Sequence, residues 1–244
     1  LAACPGQPFA VNYGGINVWL SPGDPGSGIA AVNGKIFVYV TSADAYDGSG
    51  QLACFDPSNN SSCSGNWPVP MPATNTWRSS PVFPVLDQTG KPTGVCQPSD
   101  SGMICVNFEG ASVAAPAGIN DAFPVGGTSR WNGPAVVVGA RVYYTMSDSH
   151  TEACYDYSKG ASCANFPLDL NTIGTGYPYT TNIDPNNPSC IWVNSDHGDS
   201  QIASFDAFTG SKCSSTTTRI LLSNFVVPGD KCQPTTYRGL TISS

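Results

Sequence analysis

Carboxylate side chains are the residues of this 244-residue chain that are most suited to catalysis. An enzyme that cleaves glycosidic bonds needs a carboxylic acid and a carboxylate roughly 5 to 9.5 Å apart. Asp is plentiful, but Glu109 and Glu152 are the only Glu candidates for the acid. Each lies beside a short motif that the chain repeats, where a solvated turn or strand edge is the simpler expectation. We therefore predict a structural role for both.

Three acidic segments are the other candidates for a functional site. Each comes just before one of the repeated motifs, so the three segments share a phase and are predicted to emerge on one face. Their oxygen atoms could bind calcium or hydrogen-bond to sugar hydroxyls, although Asp, Gly and Ser are also ordinary turn residues and no EF-hand spacing occurs. The predicted binding residues are Asp44, Asp47, Asp148, Glu152, Asp196 and Asp199.

Several function classes lack their sequence signatures. The two histidines cannot form a three-His zinc site, and no His-Glu-x-x-His, Gly-x-Ser-x-Gly, Walker or Gly-x-Gly-x-x-Gly motif follows a strand. The ten Lys and Arg are scattered and the net charge is -7, which argues against a nucleic-acid partner. No apolar run approaches the roughly 20 residues of a membrane-spanning helix. We expect no cofactor other than a calcium ion in the acidic loops.

A repeat of about fifty residues organises the elements that must position these groups. The tetrapeptides at 53–56, 153–156 and 203–206 read Ala-Cys/Ser-aromatic-Asp, and Ile-Cys-Val-Asn at 104–107 takes the fourth place. β-branched and aromatic runs broken by Asn-Gly or Gly-Ala precede the motif and predict tight hairpins. Each repeat therefore predicts four short strands and almost no helix. The recurrence of Asp56, Asp156 and Asp206 predicts that they cap turns.

The repeats resemble quinoprotein-like or YVTN-like β-propeller blades, in which a strand ending in an aromatic-Asp pair precedes a turn and a closing strand. The resemblance covers residues 29–222 and implies an all-β propeller, but no activity. Counting a composite of residues 1–11 and 236–242 gives about five four-stranded blades in a single domain spanning 1–244. A tandem of β-sandwiches and a segment of a longer repeat protein are the alternatives.

Ten cysteines at recurring spacings predict disulfides that form in an oxidising compartment. Nine-residue separations within hairpins predict Cys54–Cys63, Cys96–Cys105 and Cys154–Cys163. Ser204 replaces the usual partner of Cys213, so Cys190 is favoured for Cys213 and Cys232 comes next. Cys4 and Cys232 then remain to join the two ends. The overlapping sequons at Asn59 and Asn60 offer sites for N-glycosylation.

Three functions remain open from the sequence. A secreted, non-catalytic structural or adhesive module explains the cysteines, the low charge and the repeat, and it would bind protein surfaces, glycans or copies of itself. A lectin-like propeller would carry several similar sugar sites. A glycoside hydrolase would need one unusual acidic pair. We rank the structural or adhesive module first.

Overall fold

Four antiparallel β-sheets form the fold, arranged in a ring as the blades of a β-propeller. The computed structural model describes residues 29–41, 50–71, 82–99, 101–124, 135–146, 149–173, 178–184, 186–195, 201–213 and 220–221. These residues are rich in β-branched and aromatic side chains, which suit a pleated, half-buried surface. We number the sheets as blades 1 to 4 in chain order.

Blades 1 and 2 each begin with a hairpin, and their strands pair in sequence order. Blade 1 consists of β1 (Ile29–Val32), β2 (Lys35–Thr41), β3 (Gly50–Asp56), β4 (Ser61–Ser62) and β5 (Val69–Met71), with β5 paired to β3. Blade 2 consists of β6 (Phe83–Leu86), β7 (Pro92–Ser99), β8 (Gly102–Asn107) and β9 (Ser112–Val113), followed by the helical turn α1 (Ile119–Ala122).

Blades 3 and 4 repeat this plan. Blade 3 consists of β10 (Val136–Val138), β11 (Arg141–Met146), β12 (Thr151–Asp156), β13 (Ala161–Ser162) and β14 (Leu168–Asp169), followed by a 3-10 turn (Leu170–Ile173). Blade 4 consists of β15 (Pro178–Asp184), β16 (Asn187–Ser195), β17 (Gln201–Asp206) and β18 (Ile220–Leu221). These four blades replace the five that the sequence predicted. The fifth rested on residues 1–11 and 236–242, which lie outside the described residues.

The predicted tight turns are confirmed. Asn33 and Gly34 join β1 to β2 with φ angles of 51° and 71°, the left-handed conformation that an Asn-Gly hairpin turn requires. At the end of each third strand, Asp56, Asp156 or Asp206 accepts backbone N–H bonds through its side chain, as predicted. Asn107 does the same in blade 2, where its Oδ1 accepts the N–H groups of Glu109 and Ala111.

The hydrophobic core lies between the blades. One cluster joins blades 1 and 2, a second joins blades 2 and 3, and a third joins blades 3 and 4. Alternate residues of each strand face opposite neighbours, so Tyr144 and Tyr155 contact blade 2 while Tyr143 and Cys154 face blade 4. Because both faces of an inner blade are covered, its central strands are buried almost throughout.

Aromatic side chains also hydrogen-bond from one blade to the backbone of a neighbouring blade. Trp67 Nε1 of blade 1 donates to the carbonyl of Phe108 in blade 2 at 3.0 Å. The other three bonds are given as donor and acceptor: Tyr155 Oη to Ala117 O at 2.6 Å, Tyr157 Oη to Pro84 O at 2.7 Å, and Tyr143 Oη to Ala207 O at 2.5 Å. Burial raises the pKa of Tyr143 to about 12, so this hydroxyl stays a donor at neutral pH.

Four predicted disulfides are present: Cys54–Cys63, Cys96–Cys105, Cys154–Cys163 and Cys190–Cys213. The nine-residue spacing nevertheless serves two geometries. In blades 1 and 3 the bond links the third strand to the residue after the fourth strand, whereas Cys96 and Cys105 lie directly opposite each other on β7 and β8. The predicted bond between Cys4 and Cys232 lies outside the described residues.

Candidate functional site at the loop end of the propeller

The two ends of the blades differ in their connections. The turns from first to second strand and from third to fourth strand lie at one end, which we call the turn end. The connections from second to third strand lie at the opposite end, which we call the loop end. Three turns from third to fourth strand have the same length, at residues 57–60, 108–111 and 157–160, whereas the loop-end connections are 42–49, 100–101, 147–150 and 196–200.

The turn end and the loop end also differ in their charged residues. The loop-end connections contain Asp residues and no Lys or Arg. All five cations of the described residues lie at the turn end: Lys35, Lys91, Arg141, Lys159 and Lys212. Three of them form ion pairs with turn-capping carboxylates: Lys35 Nζ with Asp56 Oδ2 and Arg141 Nε with Asp156 Oδ2, each at 3.1 Å, and Lys159 Nζ with Asp156 Oδ2 at 3.9 Å. The loop end is therefore the acidic end of the blades.

Five of the six predicted binding residues belong to these loop-end connections. Asp44, Asp47, Asp148, Asp196 and Asp199 all lie outside the described residues, so their contacts remain a prediction. Their place in the chain is set by the strands on either side: each follows a second strand and precedes a third strand. This order confines the three acidic segments to connections at one end of the ring.

Glu152, the sixth predicted residue, has a different environment. It is the second residue of β12, and its side chain is 0% exposed instead of lying at a solvated turn or edge as predicted. Thr145 Oγ1, directly opposite on β11, donates to Glu152 Oε2 at 2.7 Å, and Thr181 Oγ1 of β15 lies 3.3 Å from Oε1. Burial raises the pKa of Glu152 to about 8. The buried carboxyl group does not reach the loop surface.

The repeat itself contained a signal for this burial that the sequence reasoning missed. Glu152 lies four residues before the turn-capping residue of its blade. The residues at that position in blades 1, 2 and 4 are Leu52, Met103 and Ile202, which are apolar. Aligning the four repeats therefore places a single carboxyl group in an otherwise apolar column. The contact with Thr181 could not be found this way, because it comes from the following blade.

Glu109 lies at the opposite end. It is exposed in the turn after β8, where its N–H donates to Asn107 Oδ1 and its carbonyl accepts the N–H of Asn66 at 2.8 Å. Its solvated turn position is the predicted one. Since Glu109 follows a third strand and Glu152 begins one, the two lie at opposite ends of their blades. The structure thus does not bring the two Glu candidates together as an acidic pair.

The predicted glycosylation sites lie in the turn between β3 and β4. Asn59 and Asn60 are both exposed. Asn59 Nδ2 donates to Asp56 Oδ2 at 3.1 Å, whereas Asn60 holds a left-handed φ of 49°. Both sequons therefore occupy a surface turn, as an N-glycan acceptor requires.

A cavity of about 270 Å³ opens where the first strands of blades 1, 2 and 3 approach one another. Its lining is mostly aliphatic, and none of its lining residues titrates: Ala30, Val32, Pro84, Leu86, Ala135 and Val137 contribute side chains. Within the ranges that the structure describes, no three His, Cys, Asp or Glu residues group as metal ligands, and no helix is long and apolar enough to cross a membrane.

Comparison with known proteins adds little to the fold. No protein-family model and no curated protein matches the chain. Among solved structures, the computationally designed Ika4 protein is similar at 8% identity and a TM-score of 0.46, over 81% of this chain and 95% of that protein. A chain of the Mitotic Checkpoint Complex is similar at 12% identity and a TM-score of 0.44, over 75% of this chain and 48% of its own length. A chain of the COPII outer coat vertex gives 12% and 0.42, over 74% and 45%.

Proposed function

We propose that this chain is an extracellular, non-catalytic module that binds protein or glycan surfaces through the loop end of its propeller. The observation that carries the proposal is the contrast between the two ends of the blades. The turn end has repeated turn lengths, capped by Asp or Asn, while the loop end varies from two to eight residues per connection and carries only acidic charge. Loops of variable length on a rigid frame are where binding proteins place their contacts.

Secretion is part of the proposal. Four disulfides within one chain are typical of proteins that mature in an oxidising compartment. The binding residues that we propose are five of the six aspartates in the loop-end connections: Asp44, Asp47, Asp148, Asp196 and Asp199. Their acidic character favours partners that offer cations, hydroxyl donors or a bridging calcium ion.

Two measurements on the oxidised protein separate the possible partners. A glycan array tests sugar binding, and sedimentation at increasing protein concentration tests binding to copies of itself. Each proposed Asp is changed singly to Asn. The control is Glu109→Gln, which also removes one negative charge but from an exposed turn at the opposite end. We expect at least one loop variant to weaken the observed binding about tenfold, and the control to bind like the wild type.

Two results would overturn the proposal. Binding that survives all five loop variants would place the contacts elsewhere on the molecule. Hydrolysis of a glycoside by the purified protein would show a catalytic function instead of a binding one.

A further inference from the structure

The contact between blades 3 and 4 contains a buried polar cluster. Glu152 from β12, Thr145 from β11 and Thr181 from β15 are each 0% exposed. Thr145 Oγ1 lies 2.7 Å from Glu152 Oε2, and Thr181 Oγ1 lies 3.3 and 3.4 Å from the two carboxyl oxygens. The two Thr hydroxyls also contact each other. Three oxygen-bearing groups from two blades therefore form a closed triangle of hydrogen bonds.

The polar cluster is specific to the contact between blades 3 and 4 and is not repeated at the equivalent positions of blades 1 and 2. At the position of Glu152, blades 1 and 2 carry Leu52 and Met103, which pack in the clusters that join them to the next blade. Thr145 replaces Tyr39 of blade 1 in the pair that faces this position. At this position the other joints are therefore held by hydrophobic contacts, whereas the joint between blades 3 and 4 has a polar cluster.

The number of protons available for these hydrogen bonds decides the protonation state of Glu152. Three contacts require three protons, and each Thr hydroxyl supplies one. If the two hydroxyls both donate to a carboxylate, their mutual contact has no proton and two oxygen lone pairs oppose each other. If one hydroxyl donates to the other, one contact to Glu152 has no proton unless the carboxyl group supplies it. Only the neutral acid satisfies all three contacts.

We propose that the joint between blades 3 and 4 is proton-dependent, so that neutral Glu152 holds blade 4 against blade 3 and ionised Glu152 favours the opening of blade 4. Burial agrees with this assignment, because it raises the pKa of Glu152 to about 8. An ionised carboxylate would be far more costly to bury there than the acid. In the opened state Glu152 meets water and regains the lower pKa of an exposed carboxyl group.

A pH dependence due to Glu152 must be distinguished from one due to neighbouring ionisable groups. Burial raises the pKa of Tyr143 and Tyr144 on β11, and Asp156 on β12 has a lowered pKa, so these three do not titrate between pH 5 and 8. His150 lies in the preceding turn, where its Nδ1 bonds Asn171 Oδ1 at 3.0 Å. The described ionisable groups on the surrounding elements are Arg141, Tyr143, Tyr144, His150, Tyr155, Asp156, Asp169 and Asp184. His150 is the histidine among them, so it is the residue that we vary as a control.

Hydrogen exchange between pH 5 and 8 tests the proposal on the oxidised protein. Peptides from β15 and β16 report the opening of blade 4, once the rates are corrected for the intrinsic pH dependence of exchange. Because the opened state loses the Glu152 proton and the closed state keeps it, we expect the opening equilibrium to rise up to tenfold per pH unit. In Glu152→Gln, which supplies an N–H donor but cannot ionise, we expect this rise to disappear.

Two controls fix the assignment. His150→Asn removes the neighbouring imidazole while suiting the left-handed φ of 54° at that position, and we expect it to keep the wild-type pH dependence. Peptides from β2 and β3 of blade 1 should show no such rise. Equal slopes in wild type and Glu152→Gln, or loss of the slope in His150→Asn, would overturn the proposal.

A second measurement needs no variant. The carboxyl carbon of Glu152 is followed by NMR in the wild-type protein across the same pH range. We expect the chemical shift of a neutral acid at pH 6, because burial raises the pKa of Glu152 to about 8. A carboxylate shift for Glu152 at pH 6 would overturn the proposal even if Glu152→Gln failed to fold.

Discussion

The turn end and the loop end of this propeller belong to the same strands, yet they differ in how they are held. At the turn end, side-chain carboxylates cap the turns, cations pair with those carboxylates, and disulfides in blades 1 and 3 link each third strand to the residue after the fourth strand. At the loop end, connections of unequal length carry acidic residues without Lys or Arg. The difference indicates that stability and binding depend on opposite ends of the blades. Substitutions at the turn end should affect stability more than binding, and substitutions at the loop end should affect binding more than stability.

Removing a turn-end disulfide should have the largest effect. The double substitution Cys154→Ala, Cys163→Ala opens a short loop that constrains the unfolded chain, and we expect it to lower the free energy of unfolding by about 3 kcal/mol. Denaturant unfolding under oxidising conditions measures the change. A decrease in the free energy of unfolding of less than about 1 kcal/mol would show that this disulfide does not stabilise the turn end.

Removing a turn cap should come next. Asp156 accepts the N–H of Ser158 and pairs with Arg141, so we expect Asp156→Ala to cost about 1 to 2 kcal/mol, a range typical of lost caps. Asp148→Ala, which changes the same residue type in a loop-end connection, is the matched control and should stay within about 0.5 kcal/mol of the wild type. If both variants lose the same stability, the two ends are not separable.

The smallest expected effect is a gradual loss of stability at acid pH. Hydrogen bonds to Ser58 and Lys35 lower the pKa of Asp56 to about 2, and the pKa values of Asp156 and Asp206 are also lowered. Between about pH 4 and 2 the unfolded chain binds protons that the folded chain does not, so stability falls as the pH falls. Asp56→Asn should make this fall shallower in thermal melts at several pH values. An unchanged slope would mean that Asp56 contributes nothing to it.

The fold was predictable wherever a local pattern repeats. Cys54, Asp56 and their counterparts recur at fixed intervals, so strand order, turn capping and the three hairpin disulfides followed from the sequence. Cys190–Cys213 was favoured by elimination, because Ser204 replaces the usual partner of Cys213. The described residues form four blades and not five, and the predicted fifth rested on short similarity in residues 1–11 and 236–242, which lie outside them. The burial of Glu152 was also missed, since a carboxyl group beside a turn is ordinarily solvated and its partner Thr181 belongs to another blade.

Four of the hydrogen bonds between blades have an aromatic side chain as donor and a main-chain carbonyl as acceptor. Trp67, Tyr143, Tyr155 and Tyr157 donate to backbone carbonyls of Phe108, Ala207, Ala117 and Pro84. Since every amino acid offers the same carbonyl, the accepting positions can change identity without loss of the bond, while the donors cannot. Mutational tolerance is therefore unequal across each joint: the sequence can drift on the accepting side while the aromatic donor on the other side stays fixed.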